Sequence, residues 1–190
     1  MNGTSIMKYL NNSRGTTLLE LMVATALTGV LMAAGLSFYT NMHSQTLLQE
    51  DISDMQQNSR NVLDELARTT RNAGFKIGSH VPYVINGDSL YVFFNETQPV
   101  DTVLYYLVDY LQCGLPDDLT PKKLARRINS GAPVEFADYI TDISFTVPSA
   151  KTIEISLEVR AVRTDPDYDL NQGIRTKTYT QRVSLKNLNL

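Results

Sequence analysis

Glu20 is a carboxylate inside an apolar run that opens at Arg14-Gly15-Thr16-Thr17-Leu18-Leu19 and continues to about Tyr39. On insertion scales an acidic side chain at the centre of a membrane helix costs about 2.5 to 3.5 kcal/mol, and such residues usually have a partner or a function. A plain anchor has no use for Glu20.

A second set of oxygens stands at alternate positions, Asp165, Asp167, Asp169 and Asn171. Calcium takes six to eight oxygen ligands, and an EF-hand loop begins with this alternation. Leu170 occupies the position that needs Gly, and Thr176 the one that needs a bidentate Glu, so an EF-hand is rejected. What remains is either a looser calcium-stabilised loop or an acidic turn at a hairpin tip. Chemistry of other kinds finds little support. His43 and His80 lie near no nucleophile motif, and neither a P-loop nor zinc-ligand spacing occurs. The chain is expected not to be an enzyme and, calcium at that loop aside, to hold no cofactor and no metal. Cys113 is the single cysteine, so no intramolecular disulfide can form and stability must come from a core. Near a turn it reads as a small half-buried hydrophobe.

The elements that must position these residues begin with the apolar run. Residues 16–39 would form a helix of roughly 36 Å, enough to cross a bilayer core of about 30 Å. Lys8 and Arg14 precede it, and Glu50, Asp51 and Asp54 are the first charges after it. The positive-inside rule then puts the N-terminus in the cytoplasm and the remainder outside. The rival is a secretory signal, for which Ala33-Ala34-Gly35 could mimic a cut site. A run this long, with an early Glu and a preceding Arg-Gly, speaks against it. Met7-Lys8 looks like a natural start, giving a leader of Met7 to Gly15. With 190 residues the chain suits one domain plus an anchor. Removing Lys8 and Arg14 with the leader takes the formal charge from -3 to -5. A mildly acidic product lacks the broad basic face that DNA binding needs.

Arg14, Gly15, Glu20 and Leu21-Met22-Val23-Ala24 resemble the prepilin N-terminus of type IV pilins and type II secretion pseudopilins. That pattern is a short basic leader ending in Gly, a scissile bond, a Glu at the fifth position after it and a long hydrophobic helix. Thr16 departs from the Phe that the family most often carries there. The resemblance implies cleavage between Gly15 and Thr16 by a membrane prepilin peptidase, which then N-methylates the amine of Thr16. Glycine suits a cut site that needs close backbone approach. It also implies that Glu20 pairs with the Thr16 ammonium of an adjacent subunit during assembly.

The helical pattern continues past the membrane. Leu48, Ile52, Met55, Ser59, Val62, Leu66, Thr70 and Ala73 recur at spacings of three and four, with Leu63 and Ala67 alongside. Gln56, Gln57, Asn58, Asp64, Arg68 and Arg71 fall between them, and Gly74 is placed to cap a helix of about 58 residues. After Gly74 the signals turn β. Residues 89–94, 103–108, 139–145, 153–161 and 174–185 read as strands, with Asn86-Gly87-Asp88 a turn and 164–173 a long hairpin loop. In the clearest strand Ile153, Ile155, Leu157, Val159 and Ala161 alternate with Glu154, Ser156, Glu158 and Arg160, which should face water. Residues 113–135 are loop-rich, and their Lys122-Lys123 and Arg126-Arg127 cluster is read as a short helix on a solubilising surface. The fold class expected is α+β and type IV pilin-like. A long N-terminal helix packs on an antiparallel β-sheet head, divided as leader 1–15, transmembrane half 16–39, amphipathic half 40–74 and head 75–190.

Gln49-Glu50-Asp51-Ile52, Met55-Gln56-Gln57-Asn58-Ser59-Arg60, Leu63-Asp64-Glu65-Leu66-Ala67-Arg68 and Arg71-Asn72-Ala73-Gly74-Phe75 together resemble the close of the long helix in PilW-type minor pilins. The closing Arg182 to Leu188 is similar to the final strand of the same group, whose relative is the type II secretion pseudopilin J family. The resemblance implies a minor pilin in a priming or tip complex that starts pilus assembly. Its partners would be the prepilin peptidase, other minor pilins, the major pilin and the inner-membrane assembly platform. It would sit in a bacterial inner membrane with its head outside the cytoplasm, then in a pilus or pseudopilus. A type II secretion minor pseudopilin, and a tip adhesin or DNA-uptake subunit using the 122–127 cluster, stay open beside it; a nucleic-acid partner is not otherwise expected.

Overall fold

No proline interrupts the chain before Pro82, so nothing in the first eighty residues forbids a continuous helix. The computed structural model describes residues 17–78, 80–95, 100–109, 116 and 119–187. Its first element is α1, Leu18–Arg71, a single helix of 54 residues. By contacts the chain divides after Leu47.

In the first unit every described residue up to Thr46 is exposed. Leu18 is 77% exposed, Leu31 73% and Phe38 66%, so this stretch has no protein core of its own. Gly29 and Gly35 have open space where a Cβ would stand.

The second unit is the rest of α1 and a sheet. Met55, Val62, Leu63, Leu66 and Ala67 are buried at the spacing of one helical face. They pack on a sheet that has, among the described residues, seven strands: β1 Tyr83–Asn86, β2 Ser89–Phe94, β3 Asp101–Asp109, β4 Lys122–Ile128, β5 Val134–Ser149, β6 Thr152–Thr164 and β7 Ile174–Ser184. Each strand is antiparallel to the one before it, and their order in the sheet is their order in the chain. The core of the unit joins the helix face to Leu90, Val92, Val103, Tyr105, Leu124, Ile143, Ile155, Leu157 and Val183. The α+β, pilin-like arrangement expected above is the observed one.

The long helix stops at Arg71, three residues before Gly74. Asn72 and Ala73 turn back to the carbonyls of Thr69 and Thr70, which tightens the last turn. Gly74 has φ +83°, and its N–H goes to the Phe93 carbonyl of β2 at 2.9 Å instead of back to the helix. A Cβ there would meet the Asn187 carbonyl oxygen at 2.9 Å, so only glycine fits. β1 is an element the sequence reading passed over. It pairs with β2 across the two-residue loop Gly87-Asp88, with Gly87 at φ +56°.

Two further differences bear on the head's charges. The 122–127 cluster lies on strand β4, not on a short helix. Leu124 faces Leu107 of β3 and Ala137 of β5, so pairing on both sides overrides the helix propensity of Lys-Lys-Leu-Ala-Arg-Arg. Arg160, expected on the wet face of β6, is buried. Val159, Arg160 and Ala161 are all buried in succession, next to a register shift between Arg160 and Thr164. The Arg160 guanidinium donates from Nη1 to the Leu119 carbonyl at 2.8 Å and from Nε to the Ala161 carbonyl at 3.1 Å.

Candidate functional site

The start of α1 holds the chemistry singled out above. Gly15 and Thr16, and with them the expected scissile bond, lie outside the described residues. Glu20 is in the first turn of α1 and exposed. Among the described residues no salt bridge involves it. Its backbone N–H donates to Thr17 Oγ1 at 3.2 Å, and the Leu21 N–H donates to the Thr17 carbonyl at 3.1 Å.

The hydroxyls along the apolar stretch are handled differently. Thr25, Thr28, Thr40, Ser44 and Thr46 donate to carbonyls three or four residues back, at 2.8 to 3.0 Å. In lipid every polar group must be satisfied within the segment. These hydroxyls meet that condition without a partner, and the helix is long and apolar enough to cross a membrane. The Glu20 carboxylate is the one polar side chain in the run that back-bonding to the helix cannot satisfy in its charged form, because it carries no proton to donate.

Residues 10–36 match a family profile described as the prokaryotic N-terminal methylation motif. The N-terminal segment is type IV pilin-like. A motif of this kind implies processing by a prepilin peptidase and partners in pilus assembly in general. No curated protein and no solved structure matches the chain.

The head of this pilin-like chain pairs most of its interior-facing charges within itself. Asp51 is buried on α1, and its carboxylate accepts Arg163 Nη1 at 2.7 Å and the Arg163 backbone N–H at 3.2 Å. Glu65 accepts Arg126 Nη1 at 2.6 Å and also pairs with Arg68. Beside them the Tyr105 hydroxyl donates to Thr69 Oγ1 at 2.8 Å. Burial pushes the Tyr105 phenol above its ordinary value, with the Glu65 charge adding to the rise, while Thr69 and Arg126 oppose it. The basic cluster is drawn into the same scheme. Lys123 meets Glu135 at 2.8 Å and Asp138 at 3.8 Å, and Arg126 is held by Glu65.

The 165–173 loop is organised around Asp165. Its Oδ1 accepts the Asp167 N–H at 2.9 Å, and its Oδ2 accepts Arg175 Nε at 2.6 Å. Those bonds, the backbone one first, lower the Asp165 carboxyl below the usual aspartate value. Arg175 also lies 4.9 Å over the Tyr168 ring. Asp167, Asp169 and Asn171 are exposed, and Asn171 donates to Thr176 Oγ1 at 3.3 Å. No group of three or more His, Cys, Asp or Glu among the described residues is placed to hold a metal ion.

His43 stacks on Tyr39 with ring centroids 6.2 Å apart, and His80 Nδ1 lies 2.8 Å from the Ile77 carbonyl. Cys113 lies outside the described residues. A cavity of about 210 Å³ opens between α1 and β5–β6, lined by Asp51, Asp54, Asn58, Tyr139 and Arg160 among others. That is below the roughly 300 to 1,000 Å³ usual for small-molecule sites.

Sequence reasoning missed three residues that the structure brings forward. Thr17 was legible as the first letter of a T-x-x-E capping pattern with Glu20. Asp51 was counted as a charge beyond the membrane and as part of the Gln49 to Ile52 stretch, not as a buried residue, although it falls four residues before Met55 on the buried face. Arg163 carries no sequence signal, because only the fold brings it to Asp51.

Proposed function

We propose that this protein is a minor pilin of a type IV pilus. A prepilin peptidase cuts it between Gly15 and Thr16 and methylates Thr16, and it then joins a priming or tip complex that starts filament assembly. The observation that carries this reading is one uninterrupted helix, Leu18–Arg71, with an exposed apolar first part and a second part built into a β head. The N-terminal methylation motif supports the same reading. A lone cysteine, with no intramolecular disulfide to staple the head, favours a minor over a major subunit.

In this mechanism Glu20 selects register. An unpaired carboxylate in a low-dielectric filament core costs several kcal/mol, so docking that brings a neighbour's Thr16 ammonium to Glu20 is favoured and other registers are penalised. The head lies outside the cytoplasm, as the flanking charges suggest.

Two substitutions test the scheme in cells. Gly15→Arg should leave the leader attached, read as the unprocessed mass of the membrane-bound chain; normal maturation would sink the assigned cut site. Glu20→Val should be cut normally yet fail to enter filaments, and filaments of normal abundance would remove the pairing mechanism. The second reading is a type II secretion pseudopilin of the J type, favoured by the same helix-end succession from Gln49 to Phe75. Loss of pilus-dependent motility, against loss of enzyme secretion, on deleting the gene separates the two. DNA uptake is the weaker option, because Lys123 and Arg126 are engaged by Glu135, Asp138 and Glu65.

A further inference from the structure

The two edges of the sheet differ in kind. β1 is four residues long, whereas β7 runs for eleven and pairs, among the described residues, with β6 alone. From Thr152–Ser184 to Arg160–Thr176 that pairing keeps one register, and β7 contains no proline. Just past the strand, the Leu185 N–H donates to the Lys151 carbonyl at 2.8 Å. Residues of an antiparallel strand alternate between turning both main-chain groups to the neighbour and turning both away. Counting back from Leu185, Val183, Gln181, Tyr179 and Lys177 face β6, so Arg182, Thr180, Thr178 and Thr176 face outward. On that side no other described strand meets them.

Proteins blunt such a row of free donors and acceptors with short strands, bulges, prolines or charge. Along its regular stretch β7 uses charge alone. It carries Arg175, Lys177 and Arg182 and no Asp or Glu. Arg175 is held by Asp165 and Arg182 by Glu154. Lys177 is exposed and lies 5.3 Å over the Tyr179 ring, with no carboxylate partner among the described residues. A second copy of β7 would bring cations to a cationic edge and no carboxylate to Lys177, so the edge is guarded against its own kind. Against a strand that carries Asp or Glu it is not guarded.

We propose that the outer edge of β7 binds an extended, acidic segment of a different polypeptide as an added strand. Main-chain bonds to Thr176, Thr178, Thr180 and Arg182 supply affinity, and alternate side chains supply choice. Lys177 turns its main-chain groups to β6, so the residue opposite it on an added strand stands in a non-hydrogen-bonded pair, where side chains come closest. A carboxylate there completes the one cation of β7 that the chain leaves unmatched. β-Branched or hydroxyl side chains suit the places beside the exposed Thr178 and Thr180. This docking draws on no residue of the N-terminal motif and stands apart from the assembly role given to Glu20.

The test uses the full chain in the cells that make it, with a photo-crosslinking side chain at Thr180 or, as a control on the other edge, at Val84 of β1. The joined peptide of each adduct is sequenced, and a protease-resistant head checks folding. The expected adduct joins Thr180 to a segment of another protein that carries Asp or Glu close to the joint. Thr178→Pro removes one outward N–H and leaves the β6 ladder intact, a change that edge strands tolerate, and should lower the adduct about fivefold. Lys177→Glu should lower it by a similar factor, while Lys177→Arg stays within about twofold of the parent chain. No adduct at Thr180, or one no stronger than at Val84, overturns the proposal. An adduct with a second copy of this chain, or with a segment lacking Asp and Glu, overturns it as well. Should Thr178→Pro fail to fold, Lys177→Glu decides alone, and an undiminished adduct sinks the docking edge.

Discussion

Helix α1 contains two regions built from the same hydrogen-bonding ladder and treated in opposite ways. From Leu18 to Thr46 its large side chains stand exposed, and its one carboxylate, Glu20, has no ion-pair partner among the described residues. From Leu48 to Arg71 one face is buried, and the inward-facing carboxylates of Asp51 and Glu65 each hold an arginine. The second region is complete within one chain. In the assembly proposed above, the first would be completed from outside, by lipid for its leucines and by a cation for Glu20. The difference teaches that a helix's amphipathicity records its surroundings more than its own stability. Most helical stability in proteins comes from what the face packs against.

The same substitution placed in the two regions should expose that difference most strongly. Leu66→Ala removes a fully buried side chain from the head core and should cost about 2 to 5 kcal/mol, read as a large fall in the thermal midpoint of the detergent-solubilised full chain. Leu31→Ala, on the exposed stretch, should move the same midpoint within about 0.5 kcal/mol. Equal effects would break the comparison. A smaller loss is expected from Asp51→Ala. Its carboxylate is buried, but Arg163 is half-exposed and can recover water, so the cost falls between that of a surface and a buried pair, about 1 to 2 kcal/mol. The matching double change, with Arg163→Ala, should cost little more than the single one; additive losses would show that the two residues act separately.

How much of this was readable beforehand follows the same division. The helix face from Met55 to Thr70 could be seen because burial repeats with the helical period, and the β6–β7 pair because burial alternates along β6. Both are short-range patterns written by a single packing surface. Strand β4 was misread because its Lys, Leu, Ala and Arg residues favour helix, and only its neighbours β3 and β5 make it a strand. Arg160 was misplaced for a related reason: alternation predicts which face a residue takes, but not that the segment at Leu119 covers it. Glu20 was conspicuous as a charge without an evident local use. Thr17 beside it was not, because threonine at a helix start is common.

The smallest effect belongs to the loop after β6, where acid should loosen what Asp165 holds. Its carboxylate accepts bonds from the Asp167 N–H and from Arg175, and both favour the ionised form, so its folded pKa lies below the unfolded value of about 3.9. The unfolded chain therefore binds a proton more readily than the folded one. Stability from this group is fully present above the unfolded value and is lost as pH falls through the depressed folded value. Hydrogen exchange at the Asp167 amide should be protected at pH 6 and progressively released below about pH 4, while the β6–β7 ladder beside it stays closed. Asp165→Asn keeps an acceptor for Asp167 but loses the charge that holds Arg175, so it should raise exchange in the loop at pH 6 and abolish most of the acid dependence. If calcium, and not Arg175, were the main counter-charge, adding millimolar calcium to the parent chain at pH 6 would slow exchange across 165–173. Unchanged exchange would leave the arginine as the cation that organises this turn, so that the loop, like Asp51 and Glu65, takes its counter-charge from within the chain.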